Sequence, residues 1–411
     1  MADGRVAPPD ADVIVVGLGG LGSAAVYWLA RAGASVLGFE QFAIGHDRGA
    51  SQDQSRLIRL SYHTEGYVRL AREAYEVWSD VEHDSGDELV IRTGGLDLAP
   101  ARSIAPLDEY AMAMTAAGVP FERLDAAETI HRWPQFRLAD DVDVLYQADT
   151  GICAAARANA AHVRLARSRG ATLIEGVRVT SVLSDGGGVE VTADGRVHRA
   201  ARAILTADAW TNTLLGPLGC PLPLVVTREQ VVYFDPVDPA AFEIRRFPAW
   251  IWSDVPSYYG FPAFGEAGPK VGEDIGGQIV TAEGRTFDPD QAALARLEAF
   301  VRRVLPGANR SIRRVKTCLY TLTPDRDFVI DAVPGHPNVL VALGAAHGYK
   351  FASLIGRTLS ELATDRTVSV DLEPFRIDRP ILAVADPPRA WMPGAPFDAE
   401  EGTPRSNASS G

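Results

Sequence analysis

Residues 13–16 are all apolar, the next six include four glycines, and the stretch after them repeats its apolar positions every three to four residues. This order predicts a strand buried on both faces, a tight turn and a helix over about 21–32. A second apolar run over 35–39 follows, so this segment reads as half of a parallel α/β sheet. Downstream, Val68, Ala71, Ala74, Tyr75 and Trp78 fall on one helical face and Arg69, Arg72, Glu73, Glu76 and Asp80 on the other, the pattern of a packing helix with no chemistry of its own.

From Gly151 the pattern predicts an alanine-rich helix to about 169, a strand at ATLIE, and short alternating strands separated by DGGG and ADG turns. Near the end, NVLVALGAAHGYKFASLIGRTLSELATD gives a strand, a glycine-rich turn and a long helix that would close the first sheet. Between these stretches the strands become rich in proline and aromatics, with one helix near 292–304 stopped by Pro306. The expected fold is α/β: an N-terminal Rossmann-like dinucleotide-binding domain (10–90, 145–220 and 320–385) interrupted by a mainly antiparallel substrate domain with helices (91–144 and 221–319). Residues 388–411 read as a disordered tail.

Composition narrows the function classes. With 411 residues, 46% apolar and 23% charged, the chain can build a large soluble core in more than one region. A net charge of -13 argues against nucleic acid or an anionic membrane as partner, since both would repel it. Cys153, Cys220 and Cys318 are too scattered for a disulfide framework, and no Cys/His spacing suggests a metal site. The start lacks a basic and apolar leader and no run reaches membrane-spanning length, so a cytoplasmic protein, monomeric, is expected.

Gly17-x-Gly19-x-x-Gly22 between strand and helix suits a pyrophosphate at a helix N-terminus, and Glu40 falls where a carboxylate would accept ribose hydroxyls. The motif alone does not choose between NAD and FAD. Its position at the N-terminus, with the sheet resuming only after Gly151, favours FAD.

From Gly49 the segment GASQDQSRLIRLSY resembles the monomeric sarcosine oxidase and N-methyltryptophan oxidase family, whose pattern there is GSHHGDTRxIRHAY. RWP, YQADTG, YYGFP, PKVG, CLYT, DRDFVID and AHGYKF follow in the family's order, so the resemblance spans about 10–385. It implies an FAD-dependent amine oxidase with flavin bonded to the Cys318 sulfur, for which nearby Arg313, Arg314 and Lys316 could favour the thiolate. It also implies Arg56 at the flavin, Arg59 and Lys350 at a substrate carboxylate, and Lys270 as the cation at which dioxygen is reduced. Tyr259 and Tyr320 would border the substrate amine. The turn with Gly344, His347 and Gly348 would approach the flavin.

Asp274 and Gln52 stand where the family carries histidines, and Asp208 where it usually has glycine. The first two changes concern the substrate cavity; the family's piperideine-2-carboxylate oxidase of nikkomycin biosynthesis also has an aspartate in the region of Asp274. The expected reaction is oxidation of a secondary, N-methyl or cyclic, amino acid to an imine, with O2 reduced to H2O2. A multi-step oxidase of a cyclic imino acid, a nicotinamide-dependent dehydrogenase and a non-catalytic nucleotide-binding protein are the alternatives.

Overall fold

The computed structural model describes residues 9–387, apart from 104, 106, 185 and 186, together with 389–390 and 396–397. The expected tail thus lies outside the described residues except for Arg389–Ala390 and Pro396–Phe397, which pair as two short strands.

The N-terminal pattern folds as read. Strand Ala11–Val16 pairs in parallel with Val36–Glu40 on one side and with Arg196–Leu205 on the other. Thr172–Glu175 and His336–Leu343 extend this sheet in parallel at its flanks. Its central strands Ala11–Val16 and Val36–Glu40 read as near-continuous apolar runs because both of their faces are covered. Helix Gly20–Arg31 packs on helices Ala155–Ser168 and Ala352–Ala363 in one core, and a second core lies around Leu205, Leu215 and Val341.

A nine-stranded sheet carries the Pro- and aromatic-rich segments. Its longest pairing joins Val225–Asp235 to Ser311–Leu322, and it is antiparallel except where Gly95–Pro100 meets Ala249–Trp252. One face packs on helix Gln291–Val304, whose first N–H groups are capped by the Asp290 carboxylate. The other face carries Lys270, Asp274, Tyr259, Cys318 and Tyr320.

Helix Glu65–Ser85 buries Val68, Ala71, Ala74 and Trp78 as its period predicts. It also does something that periodicity does not reveal: Trp78 Nε1 donates to Lys350 O at 2.7 Å and the Tyr67 hydroxyl to Asp327 at 2.6 Å, fixing two loops of the site. Among the described residues, no helix is long and apolar enough to cross a membrane.

Candidate active site

The first sheet supplies a dinucleotide cradle. Gly17 has a φ of +90°, and a Cβ at Gly22 would lie 1.8 Å from Gly17 O, so side chains are excluded from both positions. Helix Gly20–Arg31 therefore starts against the end of its strand. Its N-cap residue is glycine and its first turn has no acidic residue, so although the Ser51 hydroxyl accepts from Gly20 N at 2.8 Å, the helix end keeps its positive character for an anion. Glu40 braces this turn, its carboxylate accepting from Leu18 N at 2.9 Å and Phe42 N at 3.1 Å. A cavity of about 600 Å³ is walled by Gly17, Gly19, Glu40, Asp208, Gly344 and Gly348 of the first sheet's loops, by Gln52, Asp53 and Arg56, and by Tyr320 of the second sheet. A dinucleotide with its far ring at the second sheet fits this wall, because phosphate would meet the helix end and the Ser51 hydroxyl while the ring would meet Arg56 and Tyr320.

Sheet register builds the candidate catalytic face. Residues opposed across strands share a face, and alternate residues return to it. Glu229 is opposite Cys318, Thr227 opposite Tyr320, Tyr233 opposite Lys270, and Tyr259 opposite Gly272. Lys270, Asp274, Tyr259, Cys318 and Tyr320 are thus brought together from three strands. Gly272 leaves room for the Tyr259 ring, which a Cβ there would touch at 2.6 Å. Burial pushes the Tyr259 and Tyr320 hydroxyls up, and both stay protonated at neutral pH.

Burial raises the Cys318 thiol to about 11, opposed by Arg56, Lys270 and Arg285 and reinforced by Glu229. The cations acting on the sulfur are therefore not the sequence neighbours. Arg313 pairs with Asp235, Arg314 with Glu266, and Lys316 with Asp53. Gln52 Nε2 and Arg285 Nη2 both donate to Thr317 O, at 2.9 and 3.1 Å, so Gln52 secures the Cys318 strand at the cavity wall. Burial also lifts the Glu229 carboxyl to about 7, against hydrogen bonds from Thr227 and Gly276.

Arg56 donates to Ser55 O, Ala50 O and Gln52 O, tightening the loop before its strand. That loop presents Asp53, which the motif comparison left without a role. Lys270, only 2% exposed, donates to Asp53 at 3.0 Å and to Ser55 O at 2.8 Å. Burial lowers Lys270 to about 8, with Asp53 opposing the drop and Arg56 adding to it.

A second charged group surrounds Arg59 and Lys350. Arg59 is ion-paired with buried Asp97 and packs on the Tyr62 and Tyr110 rings, so it is not an open cation. Burial, Arg59 and Arg326 lower Lys350 to about 7, while Asp274 raises it. Asp274 pairs with Arg326 at 3.2 Å. His347 does not turn its ring to the cavity: Nε2 lies 2.7 Å from Arg326 O and the ring packs on Phe328, so it supports the Arg326 loop. Asp208, at φ +44°, is a cavity-wall carboxyl that burial pushes up to about 6.

Asp53, Asp97, Glu229 and Arg326 are the groups that sequence reading missed. Arg326 sat inside the quoted DRDFVID, and Asp53 occupies a position where the family pattern has glycine. Asp97 and Glu229 were legible only as acids within otherwise buried strands. Among the described residues, no cluster of three His, Cys, Asp or Glu is arranged to hold a metal.

Known proteins share the fold and identify the family. Residues 12–362 match the family described as FAD dependent oxidoreductase. N-methyl-L-tryptophan oxidase of Salmonella arizonae is 35% identical over 376 residues, covering 90% of this chain and 98% of that protein. Its Salmonella typhimurium counterpart is 33% identical over 375 residues, again 90% and 98% of the two chains. The open form of NikD, described as an unusual amino acid oxidase essential for nikkomycin biosynthesis, superposes with a TM-score of 0.81 at 28% identity, covering 89% of this chain and 97% of NikD. Glycine oxidase of Geobacillus kaustophilus, at 19% identity, a TM-score of 0.76 and coverage of 90% and 99%, shares the fold. The chain thus belongs to the FAD-dependent oxidoreductase family, as an amine oxidase of the sarcosine oxidase and NikD-like group.

Proposed function

We propose that this enzyme oxidises a secondary amino acid, N-methylated or cyclic, at its C–N bond to an imine, passing the electrons through FAD tethered at Cys318 to dioxygen and releasing hydrogen peroxide. The observation that carries the reading is the meeting, on one face of the second sheet, of Cys318, Tyr259, Tyr320 and Lys270 beside Arg56 at the cavity wall. FAD supplies the acceptor for the substrate's hydrogen and electron pair.

The chain's residues orient and balance charge. Lys350 and Arg59 attract the substrate carboxylate, with Arg59 exchanging part of its contact with Asp97. The Tyr259 and Tyr320 rings flank the amine, which must lose its proton before its α-hydrogen can leave. Arg56 would hold the electron-accepting end of the flavin and offset negative charge there, and Lys270 would stabilise reduced oxygen species.

The Asp274–Arg326 pair also favours a second reading, a cyclic imino acid oxidised in more than one step, because the pair offers both an acceptor and donors to a polar ring. The test is a panel of N-methyl and cyclic amino acids in an oxygen electrode. Substrate-dependent oxygen uptake, half of it returned by catalase, is the expected result. Formaldehyde marks the N-methyl reading and an aromatised ring the cyclic one. Uptake with none of the panel, or oxidation that needs NAD, would overturn the proposal.

A further inference from the structure

The chain holds 37 arginines and only three lysines, Lys270, Lys316 and Lys350. All three belong to the site described above, whereas every other fixed cation of the chain is arginine. Lysine differs in being a compact ammonium whose charge responds to burial, so these positions are where a titratable cation is used.

Two of the three converge on one carboxylate. Asp53 Oδ2 accepts from Lys270 Nζ at 3.0 Å and Oδ1 from Lys316 Nζ at 2.9 Å, and the Tyr233 hydroxyl reaches both oxygens at 2.8 and 2.9 Å. Asp53 holds a φ of +85° at the position where the resembling family has glycine. An aspartate there bears backbone strain that glycine would avoid, and such strain persists where the side chain is used. The surrounding groups come from every packed element: Arg56 beyond Asp53 on its own loop and strand, Tyr233, Lys316 and Cys318 from the paired long strands, Phe261 with its ring 4.6 Å from Lys270 Nζ, and Glu266 at 3.2 Å from Lys316. Asp53 is the acid nearest Lys270. Against burial and the repulsion of Arg56, it is what keeps this ammonium charged.

We propose that Asp53 is a positioning residue that holds Lys270 protonated beside the flavin cavity, and that it shares its charge with Lys316, so that the three together set the pH range over which reduced enzyme reacts with oxygen. The second half rests on the reading of Lys270 as the oxygen-reducing cation. The first half does not.

With three lysines, protein labelled with ε-13C lysine gives three side-chain signals, assigned by Lys→Met variants. Asp53→Asn should lower the Lys270 titration by roughly 1–3 pH units, the effect of removing an opposite charge at this distance. Asp53→Glu should restore most of it. Lys316→Met should move it the opposite way, upward, because a competing cation has left the same carboxylate. This second variant serves even if Asp53→Asn does not fold. A Lys270 titration that stays within about half a unit in Asp53→Asn, or that falls in Lys316→Met, overturns the proposal. In stopped-flow reoxidation, the alkaline limb of the oxygen rate should move with the Lys270 signal in each variant. If the signal moves and the limb does not, Asp53 keeps its role and the oxygen assignment of Lys270 fails.

Discussion

A carboxylate without an amine should bind this enzyme more weakly as pH rises through about 7, and Lys350→Met should remove that dependence. Lys350 is partly buried, and burial together with Arg59 and Arg326 brings its proton loss down to about 7 despite Asp274. An incoming carboxylate favours the protonated form. Binding is then linked to proton uptake, and each pH unit above the free-enzyme value costs about 1.4 kcal/mol, a tenfold loss in affinity. The loss ends when the strength of the contact is spent, and a charge-assisted contact is worth about 1.5–3 kcal/mol. Between about pH 6 and 9, propionate, ionised throughout, should therefore lose roughly 10- to 100-fold in affinity. Lys350→Met should bind at pH 6 as weakly as the parent does at pH 9, with a flat profile. The assay is propionate titration followed by flavin absorbance at constant ionic strength. A flat profile in the parent enzyme, or an unchanged slope in Lys350→Met, would refute the assignment of Lys350 to the carboxylate.

Other substitutions probe the remaining parts of the site. Gly22→Ala drives a Cβ to 1.8 Å from Gly17 O; flavin content per protein should collapse, and full occupancy would show that the turn can yield. Asp97→Ala leaves the Arg59 guanidinium buried without its carboxylate and should cost about 3–5 kcal/mol in denaturant unfolding, while propionate binds more tightly because Arg59 is released. Asp274→His breaks the pair with Arg326 and should reorder the ranking of amine substrates by kcat/KM; an unchanged ranking would remove Asp274 from specificity.

Features carried by local pattern were legible in the sequence. The strand, turn and helix around Gly17 and Gly22 depend on neighbours within a few residues, as does the apolar face of Glu65–Ser85. The resemblance motifs named Cys318, Tyr259, Tyr320, Lys270 and Asp274, which the sheet register does bring to one face. Charge partners were not legible. Lys270 and Asp53 are 217 positions apart, and their meeting is decided by how the loop before Ser55–Ile58 packs on the second sheet, which neither segment encodes alone. Sequence proximity misled because partners come from elsewhere: Arg313 is one step out of phase with Cys318, and Arg314 and Lys316, though in phase, are taken by Glu266 and Asp53. Arg59 read as an open cation because Asp97 lies on a different sheet strand.

The central claim, an amine oxidase with its flavin held by Cys318, is tested most directly by the intact mass of denatured holoprotein. The account predicts a mass raised by one FAD less two hydrogens, and a Cys318→Ser protein of bare polypeptide mass. Parent protein of bare mass, with all FAD free in the acid supernatant, would contradict it.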